Sequence, residues 1–284
     1  MKIAAFDHDG VAALGLVFED KIVPLAAISP DLPTDMVDLI ACWPAVKPQI
    51  ETASADLPGI ALGSARLLAP IARPGKILAI GLNYADHIAE SGLTTPEEQV
   101  WFCKHQTSIG APFDPVERPL VSTQLDYEVE LVAIIGKAGR HIDKAEAPDH
   151  VFGYCVGNDF SVRDWQLATP QWMLGKSFDG HGPFGPWITT ADAIGDPHRL
   201  GIRCLVNGEQ RQGSNTSNLV FSVWDQIEHL SKAMTLLPGD IIFTGTPAGV
   251  GVAMDPKRFL RPGDVVRAEI DELGAIEAVV IDER

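Results

Sequence analysis

Two glutamates, two residues apart, are the strongest candidates for chemistry in this sequence. Residues 126–130 read DYEVE, and in a strand the side chains of Glu128 and Glu130 point to the same face. Two carboxylates this close repel each other unless a cation lies between them. Residues 131–135 are all apolar, which indicates an interior strand, where buried carboxylates need a partner. Ordinary solvated charge is the alternative for an exposed strand, but the buried setting strengthens the prediction of a metal site.

A third carboxylate, Asp159, follows the apolar segment 151–156. The end of a buried strand is a usual place for a functional carboxylate, although Asp159 is also suited to capping a helix. Three oxygen ligands suit Mg²⁺ or Mn²⁺. Further along, Arg163 and Gln166 are three residues apart and share a face if the segment is helical. A surface pair is the ordinary interpretation of these two residues.

His87 and Glu90 are the candidates for acid–base chemistry. On a short helix their spacing puts both side chains on one face, where a carboxylate can orient an imidazole and raise its basicity. Taken alone, such a pair is more often surface polarity than a catalytic dyad. The sequence contains neither H-E-x-x-H nor G-x-S-x-G, which disfavours a zinc protease and a serine hydrolase.

Lys176 lies in the segment LGKSFD, whose G-K-S is similar to the end of a phosphate-binding loop. Pro170 stands where that loop needs its first glycine, so the nucleotide hypothesis fails. A lysine among apolar residues and glycine is instead a candidate contact for an anionic substrate. The glycine-rich segment 244–251, TGTPAGVG, fits either a bare turn or a loop that presents its amides to a carboxylate.

Short strands dominate the elements that must position these residues. Strands are expected at residues 11–18, 21–25, 76–81, 127–135, 151–156, 201–206, 241–244 and 265–270. Helices are expected at residues 34–53, 83–92 and 223–234. This order lacks the regular strand–helix alternation of a doubly wound sheet, so the predicted class is α+β, mainly β. A boundary near residue 70 would divide a small N-terminal α/β domain, 1–70, from a larger domain, 71–284.

Composition narrows the classes of partner. The chain has 284 residues, of which 46% are hydrophobic and 21% charged, so it can bury a full core. A net charge of −16 repels phosphate backbones and anionic lipids, so neither nucleic acid nor a membrane is an expected partner, although plain solubility also explains the charge. The four cysteines form no C-x-x-C pair. The N-terminal segment carries charge where a signal peptide needs an apolar core, and no apolar run is long enough to span a membrane. We therefore expect a reduced, soluble, cytoplasmic protein.

Taken in their order, the segments above resemble the fumarylacetoacetate hydrolase family. The matching segments are NYADH at 83–87, FCK at 102–104, DYEVE at 126–130, NDFSVRDWQ at 158–166, GKSFD at 175–179, VNGE at 206–209, PGD at 238–240 and TGTPAGVG at 244–251. Each segment alone is a weak signal, but the ordered set is specific and spans about residues 76–281. The resemblance implies a mixed β-sandwich roll, usually a homodimer, with a small N-terminal domain as in many bacterial members.

The resemblance also implies roles for individual residues. One Mg²⁺ or Mn²⁺ would be bound by Glu128, Glu130 and Asp159, with His87 and Glu90 as the catalytic pair. Lys176 would act in catalysis and contact the substrate carboxylate. Positions that line the substrate pocket would be Tyr84, Arg163, Gln166, Lys176 and Thr246. Two features depart from the family pattern: His105 follows Lys104 where many relatives have proline, and His181 lies in a variable stretch.

The resulting hypothesis is a metal-dependent hydrolase that cleaves a carbon–carbon bond in a 2,4-diketo acid, either an acylpyruvate or a sugar-derived diketo acid. The products would be pyruvate or a related acid. Oxaloacetate decarboxylation and keto–enol isomerisation are alternatives, because both need the same stabilised enolate. A catalytically inactive protein that binds a metal or a carboxylate is the alternative from another class.

Overall fold

The computed structural model describes residues 1–53, 56–92 and 94–284. Its helices are α1 Leu25–Ile28, α2 Met36–Ala41, α3 Trp43–Ile50, α4 Ala85–Ser91, α5 Arg163–Gln166, α6 Met173–Lys176 and α7 Val223–Ala233. The strands of the first half are β1 Lys2–His8, β2 Val11–Phe18, β3 Lys21–Pro24, β4 Ile60–Ala61, β5 Arg66–Leu67, β6 Ile77–Gly81, β7 Val100–Cys103, β8 Ile109–Gly110, β9 Val116–Arg118, β10 Leu125–Asp126 and β11 Val129–Ile135. Those of the second half are β12 Val151–Asn158, β13 Ser161–Val162, β14 Gly182–Thr190, β15 Gly201–Val206, β16 Glu209–Asn215, β17 Ile241–Phe243, β18 Val265–Ile270 and β19 Gly274–Asp282.

Two sheets pack face to face. The larger sheet has the strand order β4-β3-β2-β1-β14-β12-β11-β17-β6-β7, and the smaller has the order β16-β15-β18-β19-β9. The main hydrophobic core lies between them and contains buried side chains from β11, β12, β15 and β18. Burial of both inner faces is what a β-sandwich requires, so the predicted mainly β, α+β class is confirmed.

A second core covers the other face of the large sheet. Helices α2 and α3 contribute Met36, Leu39, Ile40 and Ile50, which pack against sheet residues such as Phe152. Strand β1 pairs with β14 in the register Ile3↔Ile188, so the N-terminal strands extend the large sheet. The N-terminal strands therefore share a sheet with strands that follow residue 70, and the domain boundary near residue 70 stays a prediction. No helix among the described residues is long and apolar enough to span a bilayer.

The helix expected at residues 34–53 is two helices. Asp35 caps α2 by accepting hydrogen bonds from two backbone amides, and α2 ends at Cys42, whose φ of −101° and ψ of 9° break the helical path. Helix α3 begins at Trp43, and Pro44 lies in its first turn, where a missing N–H costs nothing because that group has no intrahelical partner. The β2 and β3 hairpin and the helix α7 lie where the sequence predicts these elements, with Ser222 and Asp225 forming a capping box at the start of α7, whereas the strand expected at residues 127–135 begins only at Val129.

Strand β14 was not expected from the sequence. Its sequence, GPFGPWITT, holds two glycines and two prolines, which normally exclude a central strand. The structure accommodates them with an irregularity in the β12–β14 ladder between Tyr154 and Val156, next to Gly185. Local propensity is overridden here by the burial of Phe184 and Ile188 in the second core.

Candidate metal centre and active site

The three predicted metal ligands converge. One carboxylate oxygen from each of Glu128, Glu130 and Asp159 lies within 4.8 Å of the other two, and all three residues are buried. Strands β11 and β12 pair in the register Glu130↔Gly157, which brings the end of β12 beside the start of β11. The Asn158 side chain accepts a hydrogen bond from the Glu128 amide at 2.9 Å, and the Asp159 amide donates to the Glu128 carbonyl at 2.8 Å. Backbone pairing therefore fixes the acidic cluster.

Three cations surround two of these carboxylates. Lys176 Nζ lies 2.6 Å from Glu128 Oε2 and 2.7 Å from Asp159 Oδ2. Lys104 Nζ lies 2.6 Å from Asp159 Oδ1, and it also donates to the Lys176 carbonyl. Arg163 Nη1 lies 2.7 Å from Glu128 Oε1. Lys104 therefore forms an ion pair with Asp159, although His105 follows it where many relatives have proline.

Glu130 differs from the other two ligands. Its Oε2 accepts a hydrogen bond from the Gly245 amide at 2.7 Å, but no basic side chain of the described residues forms an ion pair with it. Burial, together with the charges of Asp159 and Glu128, raises the pKa of Glu130 well above its usual value. Burial acts the same way on Glu128, but Lys176 and Arg163 outweigh it and lower the pKa of Glu128 to about 2. The cluster thus lacks a cation at Glu130.

A divalent cation fits this arrangement. The donors are carboxylate oxygens only, which is the ligand type that Mg²⁺ and Mn²⁺ prefer. A cation among the three carboxylates would stabilise the ionised form of Glu130, which burial and its two acidic neighbours otherwise disfavour. Glu128, Glu130 and Asp159 are the residues that would hold it.

His87 and Glu90 form the predicted pair on α4. Nδ1 of His87 lies 3.5 Å from Glu90 Oε2, and the two side chains are 13% and 24% exposed, respectively. The Gly249 amide donates to both carboxylate oxygens of Glu90, at 3.0 and 3.1 Å. Although burial opposes ionisation, the contacts with His87 and Gly249 hold the pKa of Glu90 below its usual value. Glu90 is thus a fixed anion beside the imidazole.

One cavity of about 470 Å³ joins this pair to the acidic cluster. Its walls include His87, Glu90, Glu128, Glu130, Arg163, Gln166, Lys176 and Thr246, while Asp159 is buried below. Arg163 and Gln166 are buried and do not form the surface pair that the sequence suggests. Within this buried pair, Arg163 Nη1 donates to Gln166 Oε1 at 2.8 Å. The Nη2 atom of Arg163 has no hydrogen-bond partner among the described residues. That free donor suits the carboxylate of a substrate.

Tyr84 is placed away from the cavity. Its side chain is fully buried in the main core, and the cavity walls do not include it. Tyr84 caps the start of α4 with extended backbone, which turns its side chain inward. Its hydroxyl group has no hydrogen-bond partner among the described residues, and the substrate contact expected of Tyr84 stays a prediction.

Two supporting residues were not predicted. Asp126 accepts from Arg163 Nε at 2.8 Å and from the Gly251 and Val252 amides, so it holds a pocket cation and the adjoining loop together. Gln212, from β16, donates to Thr246 Oγ1 at 2.8 Å and accepts from the Val129 amide at 3.0 Å. Asp126 lies in the DYEVE segment and could have been singled out, whereas the EQRQGSN strand of Gln212 carries no signal.

Comparison with known proteins identifies the family. The family model described as fumarylacetoacetate (FAA) hydrolase C-terminal matches residues 76–281. The chain belongs to the fumarylacetoacetate hydrolase family. The match covers the acidic cluster, the His87–Glu90 pair and the loop at 244–251, so these features lie in the family's own domain.

Relatives of this family member carry out several reactions. An oxaloacetate tautomerase from Xenopus laevis, described as mitochondrial, is 45% identical over 276 residues, which cover 94% of this chain and 86% of the relative. The crystal structure of a maleylpyruvate hydrolase from Sphingobium sp. SYK-6, with manganese(II) and pyruvate, is 34% identical with a TM-score of 0.85 and full coverage of both chains. A 5-carboxymethyl-2-hydroxymuconate delta-isomerase from Mycobacterium smegmatis is 30% identical, also with full coverage and a TM-score of 0.79.

Proposed function

We propose that this protein is a Mg²⁺- or Mn²⁺-dependent tautomerase that interconverts the keto and enol forms of oxaloacetate. The observation that carries the proposal is the shared cavity, which is lined by a histidine–carboxylate pair and by an acidic cluster whose Glu130 has no basic partner among the described residues. Tautomerisation needs both parts, because a proton must leave carbon while negative charge develops on the keto oxygen. The Xenopus laevis oxaloacetate tautomerase supports oxaloacetate as the substrate.

The side chains of the cavity have separate roles in the proposed reaction. Arg163 Nη2 and Lys176 Nζ bind the substrate carboxylates, since both belong to cationic side chains and Nη2 has no hydrogen-bond partner among the described residues. In the keto-to-enol direction the imidazole of His87 takes the proton from C3 and delivers it to the keto oxygen, and in the reverse direction it takes the enol proton and delivers it to C3. Glu90 orients that imidazole and is itself fixed by the Gly249 amide. Glu128, Glu130 and Asp159 would hold a divalent cation, which would supply electrostatic stabilisation of the enolate charge.

Carbon–carbon hydrolysis of a 2,4-diketo acid is the second candidate. His87 and Glu90 favour it, because activation of water requires a positioned base. The similarity to the Sphingobium maleylpyruvate hydrolase also supports hydrolysis. Oxaloacetate decarboxylation uses the same enolate and needs no additional base.

A product assay separates these reactions. Enol oxaloacetate is mixed with the protein and Mn²⁺, and the ultraviolet absorbance of the enol is followed while carbon dioxide and organic acids are measured. We expect catalysed loss of the enol without either product, abolished by a chelator, slowed about 10²–10⁴-fold by His87→Ala and retained in the exposed control Glu146→Gln. Carbon dioxide release would establish decarboxylation instead, and two organic acids from an acylpyruvate would establish hydrolysis. No turnover with any of these substrates would support the inactive binding protein.

Three further expectations belong with this proposal. The homodimer implied by the family resemblance stays a prediction, which light scattering at defined concentrations would check. The cytoplasmic location also stays a prediction, and the Xenopus relative is described as mitochondrial. We propose that nucleic acid and membranes are not partners, on the basis of the net charge of −16.

A further inference from the structure

A second cavity, outside the active site, collects positive charge. Its volume is about 410 Å³, and we call it the basic cavity because Arg211, Lys257, Arg258 and Arg261 line it. The remaining walls include Tyr127 and several apolar side chains. Four cations in one small cavity are notable in a chain whose net charge is −16. Nothing in the proposed tautomerase chemistry uses them.

Acidic groups neutralise only part of this charge. Glu209 pairs with Arg211 at 3.1 Å and with Arg258 at 3.0 Å. Asp264, also in the cavity wall, accepts from the Arg261 amide and from a neighbouring asparagine side chain. Four cations thus face two carboxylates, which leaves two positive charges unmatched. The side chains of Lys257 and Arg261 form no ion pair with the described residues.

Arg211 supplies an independent sign of a missing ligand. Its side chain is only 9% exposed, and its Nε atom is buried with no hydrogen-bond partner among the described residues. A buried guanidinium donor without an acceptor is costly, and an oxyanion would satisfy it.

We propose that the basic cavity binds a small oxyanion with at least two negative charges, such as a phosphate ester or a polycarboxylate, and that this ligand regulates the active site. The charge excess sets the charge of the ligand, and the volume limits it to a small metabolite. Binding is independent of the proposed function, whereas the effect on catalysis rests on it.

The connection to the active site runs through Gly249. Its carbonyl accepts a hydrogen bond from Tyr127 Oη at 3.0 Å, and its amide donates to Glu90. Gly249 has a φ of +103°, and a Cβ atom there would lie 1.9 Å from the carbonyl oxygen of Arg211. Only glycine permits this contact. A ligand that fixes Arg211 and Tyr127 therefore also fixes the residue that holds Glu90.

Titration calorimetry of the metal-free protein tests the binding. Inorganic sulfate and tricarballylate serve as probes, representing the phosphate-like and polycarboxylate classes without strong metal chelation. We expect saturable binding of at least one probe that weakens about tenfold or more in the double variant Lys257→Glu, Arg261→Glu. The control Lys137→Glu, Arg140→Glu changes charge equally at two exposed residues outside the cavity and should retain binding. Absence of binding, equal loss in both double variants, or loss only in Arg163→Gln would overturn the proposal.

Amide hydrogen exchange tests the connection without relying on activity. Residues 245–252 do not line the basic cavity. The saturating probe should slow their exchange about fivefold or more, a coupling typical of linked sites. In Tyr127→Phe the probe should still bind, but the slowing should be lost. Unchanged exchange in the wild-type protein would refute regulation through Gly249.

Discussion

Lys176 Nζ lies 2.6 Å from Glu128 Oε2, so a cation expected to hold the substrate is paired with an anion expected to hold the metal. The same nitrogen lies 2.7 Å from Asp159 Oδ2. Because both contacts are buried, Lys176 partly replaces the missing positive charge in the protein alone. A divalent cation at the cluster would compete with these contacts and make Lys176 available to a substrate carboxylate.

Replacement of Lys176 by methionine should separate these two roles. Metal-free Lys176→Met should lose about 3–5 kcal/mol of stability, because two buried carboxylates lose their partner. Mn²⁺ should bind more tightly than in the wild type, and KM should rise roughly 10- to 150-fold with the loss of a charged hydrogen bond. Thermal unfolding, calorimetry and steady-state kinetics measure the three effects. Lys137→Met serves as an exposed control, and weaker Mn²⁺ binding in Lys176→Met would contradict the competition.

Glu130→Gln should remove the metal without harming the fold. The glutamine oxygen can still accept from the Gly245 amide, and the neutral amide replaces a carboxyl group whose raised pKa favours its protonated form in the metal-free protein. We expect equal or higher stability of the metal-free protein and a loss of Mn²⁺ affinity of more than about 100-fold. The melting temperature with and without Mn²⁺ provides the readout, with Glu146→Gln as control. If Mn²⁺ raised the melting temperature of Glu130→Gln as much as that of the wild type, Glu130 would be excluded as a ligand.

Metal affinity should rise with pH. Since the pKa of Glu130 is raised, its carboxyl group holds a proton that the metal must displace, and affinity should increase up to about tenfold per pH unit below that pKa. For the same reason, the metal-free protein should lose stability as pH rises from the ordinary glutamate pKa through the raised one. Calorimetry in two buffers with different ionisation enthalpies counts the released protons. If Mn²⁺ binding released no protons and its affinity did not change with pH, this electrostatic account would be contradicted.

His87→Ala should reduce the rate and leave the metal in place. Removal of a positioned base costs about 10²–10⁴ in rate. Glu90→Gln should act through His87 and therefore shift the pH profile of the remaining activity as well as its rate. Enol decay and Mn²⁺ titration on the same preparations distinguish catalysis from folding. Wild-type activity in His87→Ala would remove this residue from the mechanism.

The fold was predictable where local pattern and tertiary burial agree. Strand β11 is apolar on both faces because it lies inside the large sheet, and α7 has one apolar face because it packs on the main core. Strand β14 could not be predicted, because its glycines and prolines are tolerated only through an irregular ladder with β12. The N-terminal strands were recognised, but their pairing with β14 depends on contacts nearly two hundred residues apart.

The acidic ligands of the candidate site were predictable from the sequence, whereas the residues that support and surround them were less so. Acidic residues at fixed spacing indicated Glu128, Glu130 and Asp159, which the structure brings together. The inward orientation of Tyr84 follows from packing and has no local signal. Gln212 joins Thr246 to β11 from a strand distant in sequence, so only the assembled sheets reveal it.

A crystal structure of the protein grown with Mn²⁺, with anomalous data collected at the manganese absorption edge, tests the central claim most directly. We predict one strong anomalous peak within coordination distance, about 2.1–2.3 Å, of oxygens from Glu128, Glu130 and Asp159, with Lys176 Nζ displaced from at least one carboxylate. The absence of a peak there in crystals that hold manganese elsewhere, or retention of both Lys176 ion pairs with no density between the three carboxylates, would contradict the account.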